Sequence, residues 1–122
     1  MHTRNRNLLV SSLLLLSSPL LVSAVFSPKN KDELQLGLRA CFEETSDGSC
    51  PVFATTHGAV GDWDVSKVND FSSLFQDQRN FNQDISKWNV SCFSSSSANY
   101  CLFYGMFLNA ISFNFDLSSW DV

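Results

Sequence analysis

This sequence is short of histidine, of basic charge and, beyond Ala24, of long apolar runs, and each shortage excludes a class of function. It holds two histidines, and only His57 lies beyond Ala24. There is no Cys-x-x-Cys pair either, so the spacing usual for a zinc site is missing and zinc is the lesser alternative for the cysteines. No apolar run after Ala24 is long enough to span a bilayer. Beyond that point six Lys/Arg face twelve Asp/Glu, a net charge of −6 with the acids scattered. Nucleic acid and anionic membrane both require a basic face, so neither is expected as a partner. No serine or cysteine nucleophile can be placed beside a base and an orienting acid. His57, next to Gly58, reads as an exposed loop residue rather than a catalyst. The chain is therefore not read as an enzyme and no cofactor is expected.

The segment from Met1 to Ala24 reads as a removable leader. Arg4 and Arg6 supply a positive start, and Leu8 to Val22 is Leu-rich, broken only by small serines and Pro19. Val22-Ser23-Ala24 places small residues at the −3 and −1 positions of a secretory cleavage site. Cleavage after Ala24 is expected, leading to a secreted or cell-surface location with no membrane attachment of the mature chain.

Four cysteines remain: Cys41, Cys50, Cys92 and Cys101. An even number in a secreted chain reads as disulfide-bonded, with three connectivities open. The equal nine-residue spacings favour two local loops, Cys41–Cys50 and Cys92–Cys101.

Residues 25–61 read as an entry segment, a helix and a loop. Asn30 is placed to cap a helix, with Glu33 at capping-box spacing. Leu34, Leu38, Cys41 and Phe42 then form one apolar stripe, so an amphipathic helix is predicted over Lys31 to Glu44. Gly37 is read as lying off that stripe. Thr45 to Gly61 is rich in Ser, Thr and Gly and reads as loop.

From residue 62 the chain repeats. Phe81-Asn82-Gln83-Asp84-Ile85-Ser86-Lys87-Trp88-Asn89-Val90 recurs at 113–122 as Phe-Asn-Phe-Asp-Leu-Ser-Ser-Trp-Asp-Val. The step from Trp63 to Trp88 is shorter by seven than the step from Trp88 to Trp120. Phe75 to Trp88 and Phe107 to Trp120 are equal steps, so a seven-residue insertion falls between Trp88 and Phe107. That interval holds the second cysteine pair and a run of four serines. The expected core of the repeat is Trp63, Phe71, Phe75, Phe81, Ile85, Trp88, Phe107, Phe113, Leu117 and Trp120. Phe71, Leu74 and Phe75 have helical spacing, which predicts a short helix near Phe71–Gln76 and near Tyr104–Leu108. A short strand is predicted near Asp84–Val90. Asn82 and Asn114 recur in register, as do Asp84 and Asp116. Calcium would need a denser carboxylate cage and glycine-rich loops, so these residues read as turn stabilisers and no metal is expected. Asn89-Val90-Ser91 is an N-glycosylation sequon, making Asn89 a candidate acceptor.

The runs Trp63-Asp64-Val65-Ser66-Lys67-Val68-Asn69-Asp70-Phe71-Ser72-Ser73-Leu74-Phe75 and Phe81-Asn82-Gln83-Asp84-Ile85-Ser86-Lys87-Trp88-Asn89-Val90-Ser91 together resemble the BspA-like surface-protein repeat. The resemblance covers residues 60–122. It implies a repeat solenoid similar to leucine-rich repeats, with a short parallel strand and a short helical turn per rung behind an N-terminal amphipathic capping helix. It also implies a secreted or surface interaction protein, binding a protein or a glycan, with no catalytic residues to carry over. About two rungs fit in residues 62–122, the last incomplete. A solenoid usually needs about three repeats and a cap. The chain is thus expected either to be a truncated or purely structural piece of a longer surface protein, or to self-associate through an uncapped C-terminal rung. A small secreted hydrolase is the remaining alternative.

Overall fold

The computed structural model describes residues 25–91 and 100–122. The expected leader, Cys92 and the serine run lie outside the described residues. Among the described residues there are two helices, α1 (Lys31–Glu44) and α2 (Pro51–His57), followed by a 3-10 turn at Val60–Asp62. Neither is long and apolar enough to cross a membrane.

Helix α1 has the bounds read from the sequence. Asn30 is extended, and its side chain accepts a hydrogen bond from Glu33 N at 2.9 Å. Glu33 in turn accepts from Lys29 N at 2.8 Å, one residue before the usual capping-box donor. Leu34, Leu38 and Cys41 are fully buried. Gly37 is buried with them rather than lying off the stripe, because the Phe26 ring packs onto it: a Cβ there would sit 2.6 Å from the ring.

Helix α2 replaces the loop expected over 45–61. Pro51 occupies a first-turn position, where its missing N–H costs nothing. The Glu44 carboxylate, at the end of α1, accepts from Val52 N at 2.8 Å and Phe53 N at 2.9 Å. A carboxylate at a helix N-terminus satisfies orphan donors and complements the dipole. The Cys41–Cys50 disulfide closes the connection between the helices. His57, in the last turn of α2, is half-buried and not an exposed loop residue: its ring stacks on Phe53 with centroids 3.9 Å apart.

The solenoid with a strand and a helical turn per rung is overturned. The described residues contain no strand, and beyond Asp62 no helix; the two copies are coil and turn, joined by one parallel bridge, Asp70↔Leu102. The expected helices at 71–76 and 104–108 fail because Ser73 and Gly105 are left-handed, with φ of 56° and 66°. A right-handed helix cannot pass through such a residue. The expected strand at 84–90 fails because a tight turn bends it: Trp88 N donates to Ile85 O at 3.1 Å, and Ser86 N to the Asp84 side chain at 2.9 Å. Similar turns close at Phe71–Leu74, Gln78–Phe81, Phe103–Met106, Phe107–Ala110 and Leu117–Trp120.

The two copies nevertheless stack as layers, three phenylalanines of the first lying on their sequence equivalents in the second. Phe71 lies on Phe103 (5.4 Å), Phe75 on Phe107 (5.6 Å) and Phe81 on Phe113 (5.7 Å), all within 11° of parallel. Such separations fall in the favourable range for aromatic pairs. Asn114 N donates to the side chain of its own equivalent, Asn82, at 3.3 Å. The first layer lies between α1 and the second layer. On the α1 side, Lys31 Nζ donates to Ser72 Oγ at 2.9 Å and Phe42 meets Phe81 edge-on.

Candidate interaction surface

Four backbone N–H groups of the first layer hold the second layer in place. Phe71, Ser73, Phe75 and Asp77 donate to the carbonyls of Leu102, Tyr104, Met106 and Leu108 at 2.7, 3.0, 2.8 and 2.8 Å. Their equivalents in the second layer are Phe103, Gly105, Phe107 and Asn109. Among the described residues these four N–H groups have no hydrogen-bond partner. The carbonyls of Phe103, Gly105 and Phe107 accept from Met106, Leu108 and Ala110 within the layer's own turns. The free side of the second layer therefore presents donors.

The side chains there are apolar. Phe103, Phe107, Phe113 and Trp120 are half-buried, packed on the first layer. Tyr104 is 72% exposed, Ile111 67% and Leu108 53%. Isolated exposed apolar residues are ordinary, but these three adjoin the half-buried Phe103, Phe107 and Phe113 in sequence. Residues 100–122 carry two acids, Asp116 and Asp121, and no basic residue. At the rim, Asn109 Nδ2 donates to Asp77 Oδ1 at 2.8 Å and Ser119 Oγ to Ser86 O at 3.0 Å, so polar groups fix the layer spacing.

The residues singled out from the sequence fall as follows. Trp63, Phe71, Phe75, Phe81, Ile85 and Trp88 are buried; Phe107, Phe113, Leu117 and Trp120 are half-buried against them. Cys41 and Cys50 are bonded to each other, and Cys101 is also disulfide-bonded, with Cys92 outside the described residues. Asn89 is exposed, and its Oδ1 accepts from Ser91 N at 3.1 Å and Ser91 Oγ at 2.5 Å.

Asp84 and Asp116 make side-chain turns of the same kind, with Ser86 and Ser118. So do Asp47, Asp64 and Asp70, with Ser49, Ser66 and Ser72. These hydrogen bonds hold the five carboxyls below the usual aspartate range. The Ser side chain is the main cause for Asp64, Asp70 and Asp84, and the Ser backbone N–H for Asp47 and Asp116. Among the described residues no group of three His, Cys, Asp or Glu side chains could hold a metal ion. The unpaired donor row was missed from the sequence, since nothing in the residue types reports which backbone N–H groups face outward.

A concavity of about 370 Å³ runs between α1 and the first layer, lined in part by Gln35, Arg39, Phe42, Glu43, Gln76 and Gln78. It is shallow and polar, and contains no unpartnered buried group.

Residues 39–122 match the family model described as a Mycoplasma protein of unknown function, DUF285. The chain belongs to the DUF285 family. No curated protein and no solved structure matches it. The DUF285 region begins inside α1 and takes in α2 and both stacked layers, so the unpaired donor row lies within the matched segment.

Proposed function

We propose that this DUF285 chain is a BspA-like secreted or cell-surface interaction protein that binds a protein partner through the open side of its second layer. The unpaired N–H row at Phe103, Gly105, Phe107 and Asn109, set among exposed apolar side chains, carries this reading. Solvated donors beside desolvatable apolar area form a surface that gains from a partner supplying both acceptors and apolar contact. The absence of basic residues from 100–122 disfavours sulfated or phosphorylated ligands, and a protein is preferred to a glycan on the apolar character of the surface. The leader pattern of residues 1–24 supports export, and the exposed sequon at Asn89 suits the same compartment.

Two measurements test the reading. Expressed from Met1 in a eukaryotic secretory host, the chain is expected in the medium with Val25 at its N-terminus. It should also carry a glycan lost in Asn89→Gln; retention inside the cell would overturn the assignment of compartment. Arrayed extracellular proteins and glycans should give protein hits that disappear when Tyr104 and Leu108 are both replaced by Asp. Hits indifferent to that double substitution would place binding elsewhere.

A further inference from the structure

We propose that the groove between α1 and the first layer is a site for a neutral pyranose sugar, free or as one residue of a longer glycan. It is separate from the open side of the second layer and does not depend on it. One wall is a single face of α1, where Gln35, Leu38, Arg39, Phe42 and Glu43 recur at helical spacing. The other wall is the turn segment of the first layer that carries Leu74, Gln76 and Gln78. At about 370 Å³ the groove lies at the lower end of the roughly 300–1,000 Å³ usual for small-molecule sites.

Unused hydrogen-bonding capacity is the first feature that selects the ligand. Among the described residues, the side chains of Gln35, Arg39, Glu43, Gln76 and Gln78 make no hydrogen bond or ion pair. Arg39 and Glu43 stand four apart on α1, a spacing that allows pairing, and still do not pair. Gln35 and Gln78 are half-buried, so their amide ends are partly held in place by the walls. A primary amide both donates and accepts, and so does a sugar hydroxyl. Charge is the second feature. One guanidinium and one carboxylate cancel, so the groove favours neither an anion nor a cation. The third is the floor, where Leu38 and Leu74 are buried and the Phe42 ring is half-buried. A pyranose carries C–H bonds on its face and hydroxyls around its rim, which matches an apolar floor ringed by polar ends. An extended peptide fits less well, because such a ligand is held through main-chain edges. The N–H groups of Ser73, Leu74, Gln76 and Gln78 are already donated, to the carbonyls of Tyr104, Phe71, Ser73 and Phe75.

The test titrates the isotope-labelled full chain with glucose, galactose, mannose and N-acetylglucosamine, and follows the side-chain amide signals of Gln35, Gln76 and Gln78 by nuclear magnetic resonance. Glucuronic acid, glucosamine and the open-chain polyol sorbitol serve as controls. At least one neutral sugar should shift those signals saturably. Replacing Gln35 and Gln78 together by Ala should raise its Kd by about 10-fold or more, the equivalent of one lost hydrogen bond or two. Should that pair fail to fold by thermal melting, Arg39→Ala, at an exposed position, supplies the same readout. Replacing Tyr104 and Leu108 by Asp should leave sugar binding unchanged. The proposal is overturned if no neutral sugar moves the three amides, or if sorbitol or a charged sugar binds as tightly as the best neutral one. Sugar binding that survives the groove variants, or is lost in the Tyr104 and Leu108 variant, also overturns it. None of these failures touches the reading of the open side, whose protein hits are scored with that last variant.

Discussion

The indole N–H of Trp88 donates to the carbonyl of Val60 at 2.8 Å, across 28 residues of sequence. Trp120 repeats the bond one layer on, donating to Ile85 O at 3.1 Å. Val60, Ile85 and Leu117 each stand three residues before a tryptophan, so every layer is tied to the carbonyl at the same position of the one before. Trp88 is buried, whereas Trp120 is half-buried. Trp88→Phe removes a donor from a buried site and should cost about 2 kcal/mol, against under about 1 kcal/mol for Trp120→Phe. Urea unfolding of both variants measures the difference; equal losses would mean that the indole bonds do not set the layer register.

Acid should unfold the protein from the turns outward. Asp47, Asp64, Asp70, Asp84 and Asp116 all have folded-state carboxyls held below their ordinary value of 3.8. A depressed folded pKa contributes stability that is fully present above the unfolded value and disappears as pH falls through the folded one. The urea midpoint should therefore show no contribution from these groups to any slope between pH 5 and 7, then fall below about pH 4. Asn89 makes the same turn without a charge. Asp84→Asn should accordingly keep the turn and flatten the acid limb; an unchanged limb would mean that Asp84 contributes nothing to it.

The repeat register, the position of α1 and the residues at the layer core were legible because they depend on spacing. The conformation of the layer was not. Phe71, Leu74 and Phe75 have helical spacing, but a chain of four-residue turns places apolar residues three and four apart as well, and only the left-handed Ser73 separates the two. Ser is a poor sequence marker of positive φ, and the Gly at its equivalent, Gly105, sits in the copy whose register the insertion obscures. Helix α2 was hidden for a different reason. Its cap comes from Glu44, eight residues before Val52 and on another helix, so no local pattern reports it. The overlap of Gly37 with Phe26 is likewise tertiary.

The left-handed pair Ser73 and Gly105 makes opposite substitutions informative. At Gly105 a side chain would be strained at φ 66° and would meet Ser73 Oγ at 3.2 Å. Gly105→Ala should destabilise by about 1–2 kcal/mol. Ser73→Gly, at φ 56°, should be neutral or stabilise by under about 1 kcal/mol. Thermal melts read both; a stabilising Gly105→Ala would contradict the turn geometry of the second layer.

The Cys41–Cys50 disulfide should contribute more than its short loop first suggests, because the loop it closes is packed. Cys41 and Cys50 are both fully buried, and Gly48 between them sits against the Phe81 ring. Asp47 O in the same loop accepts from Asn82 N at 3.2 Å and Gln83 Nε2 at 3.0 Å, so the loop holds the Phe81 corner of the first layer. Chain-entropy arguments for a loop of this length give about 2.7 kcal/mol. Cys41→Ser with Cys50→Ser should cost at least that, and should also speed hydrogen exchange at Asn82 N, a site remote in sequence. Peptide mapping of the unreduced protein checks the pairing directly, since Cys41 joined to Cys101 would break the loop that this argument requires. A loss confined to α1 and α2, with the Asn82 amide unchanged, would show that the loop does not support the layer.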